Sequence, residues 1–341
     1  MSLTEEYLLR MERLIEQHSQ EGKSVWELLK TLDPHLKSFI DSVNKLYDEG
    51  KIKIENGKIR SVAKLRAAEY RLDECEECDY YGLKLSGKWQ DVLKEFEELS
   101  KDRPQPDSAY FQGYMIPKDT VKRAAYMNSW ADLEGKSVFI LGDDDLLSLA
   151  LALTNLPSSI TVLDIDKRVV DYINNKAKNM SVKLEAYEYN VKEPLPETFI
   201  EKYDVFSSEP LETYSGLRAF LLRGTLALKK GGSAYVGLSR SEANPKKWIY
   251  FQKTILKFGY YITDIRLKFS RYKVDYPTAN YEMLSNHFKF PVEENNGIIW
   301  YTSALYRLEL VKKQKLSNKR INVRFVDPYD DVSFPKKQNN K

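Results

Sequence analysis

Carboxylates that follow apolar runs are the residues of this chain with the clearest capacity for chemistry. The run Phe139-Ile140-Leu141 meets Gly142-Asp143-Asp144-Asp145, and an apolar helical pattern then resumes. A second run, "ITVLDID", ends in Asp164 and Asp166. A third ends at Asn190, and a fourth enters "SSEPLET", with Glu209 and Glu212. Acids in the first turn of a helix complement its dipole, each by roughly 0.3 to 1 kcal/mol, which accounts for one or two of the aspartates. A third adds repulsion unless a cation sits nearby. A phosphate cannot approach such a turn comfortably, so NAD and ATP are disfavoured and a cationic ligand fits. Asp164 follows the first strand-ending glycine by about twenty residues, where an acid accepts hydrogen bonds from both ribose hydroxyls. Asp166 beside it reads as a helix cap.

These groups meet only if their strands lie side by side. From Asp119 onward, strand-like runs ("SVFILG", "ITVLDID", "VKLEAYEYN", "YDVFSSEP", "SAYVGLS") alternate with helical patterns, and Gly231-Gly232 reads as a turn. The alternation predicts a mostly parallel sheet with helices on both faces. Ligands of such sheets sit beyond the carboxyl ends of the central strands. No clear helix separates "YYITDIRLKFSRY" from "IIWYTSALYRLELV", so these two are expected to pair antiparallel at one edge. The expected class is α/β, a seven-stranded Rossmann-like sheet of the methyltransferase type.

Residues 1–63 are predicted to form a small winged-helix-like domain ahead of that sheet. Tyr7 to His18 has helical spacing, and Ser24 with Glu27 makes a capping box. Asp33 is expected to cap a third helix, with Pro34 at its first position and Gly50 ending it. Asn56-Gly57 marks a two-residue hairpin. Such a module binds DNA or serves protein interaction. Its third helix carries two Lys, two Asp and one Glu, so nucleic acid is not favoured. Residues 64–118 form a connector with Cys75-x-x-Cys78, a helix over Trp89 to Leu99, and prolines at 104, 106 and 117. The cysteine pair has the spacing of half a zinc site, but His18, His35 and His287 lack ligand spacing to it, so a residual knuckle or a plain turn is favoured over a zinc shared between subunits. Residues 119–312 form the catalytic domain, and 313–341 a partly mobile basic tail.

The chain has 53 basic and 50 acidic residues, too balanced to imply nucleic acid by itself. With 42% hydrophobic and 30% charged residues it reads as a soluble globular protein. Two cysteines exclude a disulfide framework and point to a reducing, cytoplasmic setting. No signal core or apolar span of about 18 residues is present, so no membrane association is expected. Abundant Lys and Glu with few Cys also suit a thermophile.

"LGDDDLLSLALALTNLP", "ITVLDIDKRVVDYI", "PLETYSGLRAFLLRG" and "SAYVGLSRSEA" resemble the branched-chain polyamine synthase family, and Gly-Asp-Asp-Asp is the most specific element. The likeness extends to the cysteine pair, "DRPQPDSAYFQGYMIP" and "WYTSALYRLEL". The resemblance implies an aminopropyltransferase. Decarboxylated S-adenosylmethionine would donate a 3-aminopropyl group to a secondary amine of spermidine or a related polyamine. Methylthioadenosine would leave, with no metal and no tightly bound cofactor. Loss of the donor's carboxylate leaves a sulfonium and an ammonium, and the acceptor is itself a polycation, so acids suit both.

On this reading Gly142, Asp143, Asp144, Asp164, Asn190 and Gln112 bind the donor. Asp145, Glu209 and Glu212 bind the polyamine. Asp145 and Glu209 are the catalytic carboxylates, removing a proton from the attacking nitrogen. The chain departs from the family in Glu209-Pro210-Leu211-Glu212-Thr213, where Asp-Pro-Pro-Glu-Thr is usual. It departs again at Asn190 and Phe111, where acids are usual. Trp300 and Tyr301 can wall a polyamine channel by cation–π contact, but an aromatic strand stripe is more often core. A homodimer is expected. Two other functions fit the residues: a methyltransferase using intact S-adenosylmethionine, and a polyamine-sensing, DNA-binding regulator.

Overall fold

The structure, a computed structural model, describes residues 3–69, 75, 78, 82–110, 112–273, 281–325 and 327. Three helices open the chain: α1 (Leu3–His18), α2 (Val25–Leu32) and α3 (Leu36–Asp48). A hairpin follows, of β1 (Ile52–Glu55) and β2 (Lys58–Ser61). Ser24 and Glu27 form the expected capping box on α2. Asn56 and Gly57 both have positive φ, 51° and 71°, as a tight hairpin turn requires.

Asp33 does not cap α3, contrary to expectation. It ends α2 in the left-handed region, its N–H donating to the Leu29 carbonyl, and His35 precedes α3. The Asp33 carboxylate instead accepts from Thr302 Oγ1 at 3.1 Å, a contact between the N-terminal module and the sheet.

After the connector helix α4 (Lys88–Leu99) come α5 (Pro117–Ser129), β3 (Ser137–Leu141), α6 (Leu147–Leu153), β4 (Ser159–Asp164), α7 (Lys167–Ala177) and β5 (Lys183–Glu188). The second half holds β6 (Tyr203–Ser208), α8 (Tyr214–Ala227), β7 (Leu228–Ser239), α9 (Pro245–Lys257), β8 (Tyr260–Tyr272) and β9 (Tyr301–Leu310). The seven-stranded order is β5-β4-β3-β6-β7-β9-β8. The first five strands are parallel, and β9 runs antiparallel to both β7 and β8. The two long strands thus pair antiparallel at one edge as expected, with the later one inserted inward.

Helices cover both faces, which is why β3, β4 and β6 are buried almost throughout. α4 to α7 pack one face through Phe96, Met127, Leu149 and Ile173. α8 and α9 pack the other through Leu217, Leu221, Phe251 and Ile255. Gly231 and Gly232 lie inside β7 rather than in a free turn. Gly231 has φ +81°, and a side chain on Gly232 would crowd the Asp204 carbonyl.

A third core belongs jointly to two distant segments. Trp26, Leu29, Phe39 and Val43 of the N-terminal helices pack with Leu284, Phe288, Phe290 and Trp300, which precede β9. Asn44 on α3 donates to the His287 carbonyl at 2.8 Å and accepts from the Lys289 N–H at 2.9 Å. The third helix therefore lies under the chain's own β8–β9 connection.

Beyond β9, where a partly mobile tail was expected, most described residues are exposed, but a few contacts tie the segment to the sheet domain. Val323 is buried, and Asn318 Oδ1 accepts from the Leu195 N–H at 2.8 Å. Arg324 donates its N–H to Ser215 Oγ at 2.8 Å. Residue 326 and residues 328–341 of that tail, and Phe111, lie outside the described residues. Cys75 and Cys78 are free thiols, and among the described residues no cluster suits a metal ion. No described helix is long and apolar enough to cross a membrane.

Candidate active site

From β3 the chain builds outward through β4 to β5, then returns to place β6 on the other flank of β3. Ligands of such sheets bind at a reversal of this kind, in the crevice outside the carboxyl ends of the strands, here β3 and β6. The loop after β3 carries the three aspartates and the loop after β6 carries Glu209.

The aspartates divide their work. Gly142 takes φ +77°, and Leu146 takes φ 56°, a left-handed backbone that costs a leucine roughly 1–2 kcal/mol. The helical pattern that seemed to resume at Leu146 therefore begins at Leu147. The kink turns Asp143 back, and its carboxylate accepts from the Ser148 N–H at 3.2 and 3.4 Å. The Asp143 carboxylate thus satisfies a first-turn N–H of α6, whose N-cap position is Leu146. Asp145 Oδ1 accepts from the Met115 N–H at 2.6 Å. Among the described residues no hydrogen-bond donor is recorded on the Asp144 carboxylate.

Electrostatics follow from this geometry. Burial, then the neighbouring Asp145 and Asp164 carboxylates, hold the Asp144 carboxyl well above its ordinary range. Burial and Glu209 push Asp145 up to about 7, against the opposing pull of Arg123 and the Met115 N–H.

Asp164 ends β4 beside this loop. Its Oδ2 accepts from the Asp143 N–H at 2.7 Å and its Oδ1 from the Asp166 N–H at 2.8 Å. Each oxygen keeps a lone pair for a further donor. Asp166 caps α7 and takes the Gln112 amide at 2.9 Å. Gln112, expected at the donor, also accepts from the Asp107 N–H at 2.9 Å and so braces the connector. Asn190 Oδ1 accepts from the Lys192 N–H at 3.0 Å. Nearby, buried Arg223 on α8 holds this loop through the Val191 carbonyl at 3.2 Å and Asn318 Oδ1 at 2.9 Å.

Glu209 is not a free carboxylate. Its Oε1 pairs with Arg123 of α5, and its Oε2 accepts from the Tyr272 hydroxyl. Ser303 Oγ also reaches Oε1, at 3.3 Å. Arg123 is buried and donates to Ser270 Oγ at 3.0 Å. Its setting depends on Asp119, fully buried in α5, which accepts from the Arg271 N–H at 2.9 Å and so fixes the residue beside Tyr272.

Glu212 accepts from the Ser239 N–H through Oε1, while its buried Oε2 has no partner among the described residues. Burial, then the nearby Glu242 carboxylate, raises the Glu212 carboxyl well above its usual range. The cap of α8 is Thr213, whose side chain accepts from the Gly216 N–H. Tyr301 donates to Glu242 Oε1 at 3.1 Å, whereas Trp300 is core.

Arg123, Tyr272, Glu242 and Gly237 were not picked out from the sequence. Arg123 sits in "VKRAAYMNS", which reads as an ordinary amphipathic helix. Only the strand order brings Tyr272 to Glu209. Gly237 in "SAYVGLS" did carry a signal: a glycine inside a strand marks close approach. Here a Cβ on Gly237 would overlap the Glu209 carboxylate.

A family model described as the branched-chain polyamine synthase A C-terminal domain matches residues 91–332, more than half of the chain. A Thermus thermophilus protein named N(4)-bis(aminopropyl)spermidine synthase is 36% identical over 302 residues, covering 88% of this chain and 86% of that one. The protein of that name from Thermococcus kodakarensis is 33% identical, covering 92% of this chain and 90% of that one. The crystal structure of the Thermus thermophilus branched-chain polyamine synthase, in complex with N4-aminopropylspermidine and 5'-methylthioadenosine, superposes with a TM-score of 0.84. It is 31% identical, with 96% of this chain and 99% of that chain covered.

Proposed function

The chain belongs to the branched-chain polyamine synthase family, and on that premise we propose that it is an aminopropyltransferase. It moves a 3-aminopropyl group from decarboxylated S-adenosylmethionine to a secondary amine of spermidine or a related polyamine, releasing methylthioadenosine. The observation that carries this reading is a crevice with an excess of carboxylates. One of them, Glu212 through its buried Oε2, keeps an oxygen to which no described protein group donates a hydrogen bond, and Asp144 is buried among other carboxylates. Such oxygens suit ligand ammonium groups.

The roles follow the loops. Asp164 offers one lone pair from each oxygen to the ribose hydroxyls, and Asn190 lies toward the adenine. Asp144 attracts the charged end of the donor. Asp145 takes a proton from the acceptor's secondary ammonium, because a protonated nitrogen has no lone pair. The freed nitrogen attacks the methylene attached to sulfur. The carbon–sulfur bond breaks with its electron pair moving to sulfur, so the sulfonium becomes a neutral thioether. Holding the two reactants in line supplies much of the rate.

A donor bearing a carboxylate would meet Asp144 and Asp145, which counts against the methyltransferase reading. The N-terminal module is assigned a bracing role, since α3 is engaged by residues 287–290. A cytoplasmic location and a homodimer complete the proposal. Incubation of the purified protein with decarboxylated S-adenosylmethionine and a panel of polyamines should release methylthioadenosine with spermidine or a close relative. No release across the panel would overturn the proposal.

A further inference from the structure

The crevice holds two carboxylates that look interchangeable in the sequence, Asp145 and Glu209, yet their partners differ. Glu209 is engaged on both oxygens, by Arg123 and by Tyr272. Among the described residues Asp145 has a side-chain hydrogen bond only on Oδ1, from the Met115 N–H. Arg123 itself is 2% exposed, and its Nε–H has no partner among the described residues. A buried guanidinium that binds one carboxylate by its end and leaves a donor unused is a costly arrangement.

We propose that Arg123 is a positioning residue that sorts the two carboxylates: it holds Glu209 in place and leaves Asp145 as the one that gains and loses the proton. This rests on the aminopropyltransferase reading for its consequence, but the sorting itself is a property of the free protein. In the reaction the secondary ammonium passes one proton to Asp145. The new carbon–nitrogen bond forms as the carbon–sulfur bond breaks. The product nitrogen keeps its remaining proton as a tertiary ammonium, and Asp145 returns its proton to water. Glu209, held by Arg123 and Tyr272, takes no part in the proton transfer and steadies the cationic acceptor.

The groups that face Asp145 come from every side of the crevice. Arg123 projects from α5, Glu209 from the end of β6, and Tyr272 from β8. Arg103 and the Met115 N–H approach from the connector, and Asp144 from its own loop. Removing Arg123 takes away a cation and also uncovers the charge of Glu209. Both changes disfavour the ionised form of Asp145. Removing the charge of Glu209 does the reverse.

The two substitutions therefore predict opposite displacements of one titration. The activity of Arg123→Gln should lose its acidic side at higher pH than the unmodified protein. The activity of Glu209→Gln should lose it at lower pH, and Arg123→Lys should restore the original position. The profile is kcat/KM for methylthioadenosine release with decarboxylated S-adenosylmethionine and spermidine. The same titration is read without turnover from the carboxyl carbon resonance of Asp145 in 13C-labelled protein, assigned with Asp145→Asn. Displacement by about one pH unit in opposite senses supports the proposal. A uniform loss of rate with the titration unmoved, or displacement in the same sense in both variants, overturns it. If the unmodified protein releases no methylthioadenosine, the reaction fails while the resonance still decides the sorting. If Arg123→Gln does not fold, Glu209→Gln decides it: displacement to lower pH, with Arg123→Lys at the original position, supports the proposal, and an unmoved titration in Glu209→Gln overturns it.

Discussion

Asp143, Asp144 and Asp145 are adjacent in sequence and unlike in circumstance. The Asp143 carboxylate accepts from a first-turn N–H of α6, so Asp143→Ala should destabilise the fold by about 1 kcal/mol. Asp144 has no recorded donor and repels its neighbours, so Asp144→Asn should leave stability unchanged or raise it while lowering donor affinity. Chemical denaturation together with donor binding separates the two. Asp145 adds a pH dependence. Its carboxyl titrates at about 7 in the folded protein, against about 3.9 in an unfolded chain. Above the unfolded value the unfolded chain releases a proton that the folded protein still holds. The contribution of Asp145 is therefore fully present below about pH 4 and is lost as pH rises through about 7, at up to about 1.4 kcal/mol per unit. Asp145→Asn should flatten that part of the stability profile in denaturation measured across pH 4 to 8, and an unchanged slope would contradict the assignment.

At the scale of elements, two glycines hold structure close to the site. Gly224 on α8 leaves no room for a side chain, because a Cβ would overlap the Phe206 ring. Gly224→Ala should thus destabilise by about 1–3 kcal/mol, although alanine is the better helix former. Gly237→Ala should displace Glu209 rather than unfold the sheet, lowering turnover about tenfold with a smaller change in melting temperature. Strands, most helices and the antiparallel edge were legible because apolar alternation and caps are local signals. Ser24, Asp166 and Asn56-Gly57 each did what their residue type favours. The acid-bearing strand ends were legible for the same reason. Asp33 was misread because an Asp before Pro resembles a helix start, whereas its carboxylate is claimed by Thr302, 269 residues away. The pairing of Glu209 with Arg123 was invisible for a related reason: 86 residues separate them, and no local pattern distinguishes a buried arginine from a surface one.

Across the whole molecule, the N-terminal module and the sheet share a core, so neither part is closed without the other. Each large apolar side chain exposed by separating them forfeits roughly 1.5–3 kcal/mol. Removal of residues 1–63 would uncover Leu284, Phe288, Phe290 and Trp300, which lie against the module. The truncated chain should aggregate or melt well below the full one, and a truncated chain of unchanged melting temperature would show the shared core to be dispensable. The module also reaches the loop beyond β7, where the Leu36 N–H donates to the Ser241 carbonyl at 3.1 Å, one residue from Glu242. Bracing of the acid-lined crevice therefore extends from the first helices to the segment after β9. The central claim is that this crevice is built for a donor without a carboxylate. Its most direct test supplies decarboxylated and intact S-adenosylmethionine together, at equal concentration, with spermidine, and weighs the polyamine product by mass spectrometry. Spermidine enlarged by an aminopropyl group, with methylthioadenosine released, is the predicted result; a methylated product, with S-adenosylhomocysteine released, would contradict it.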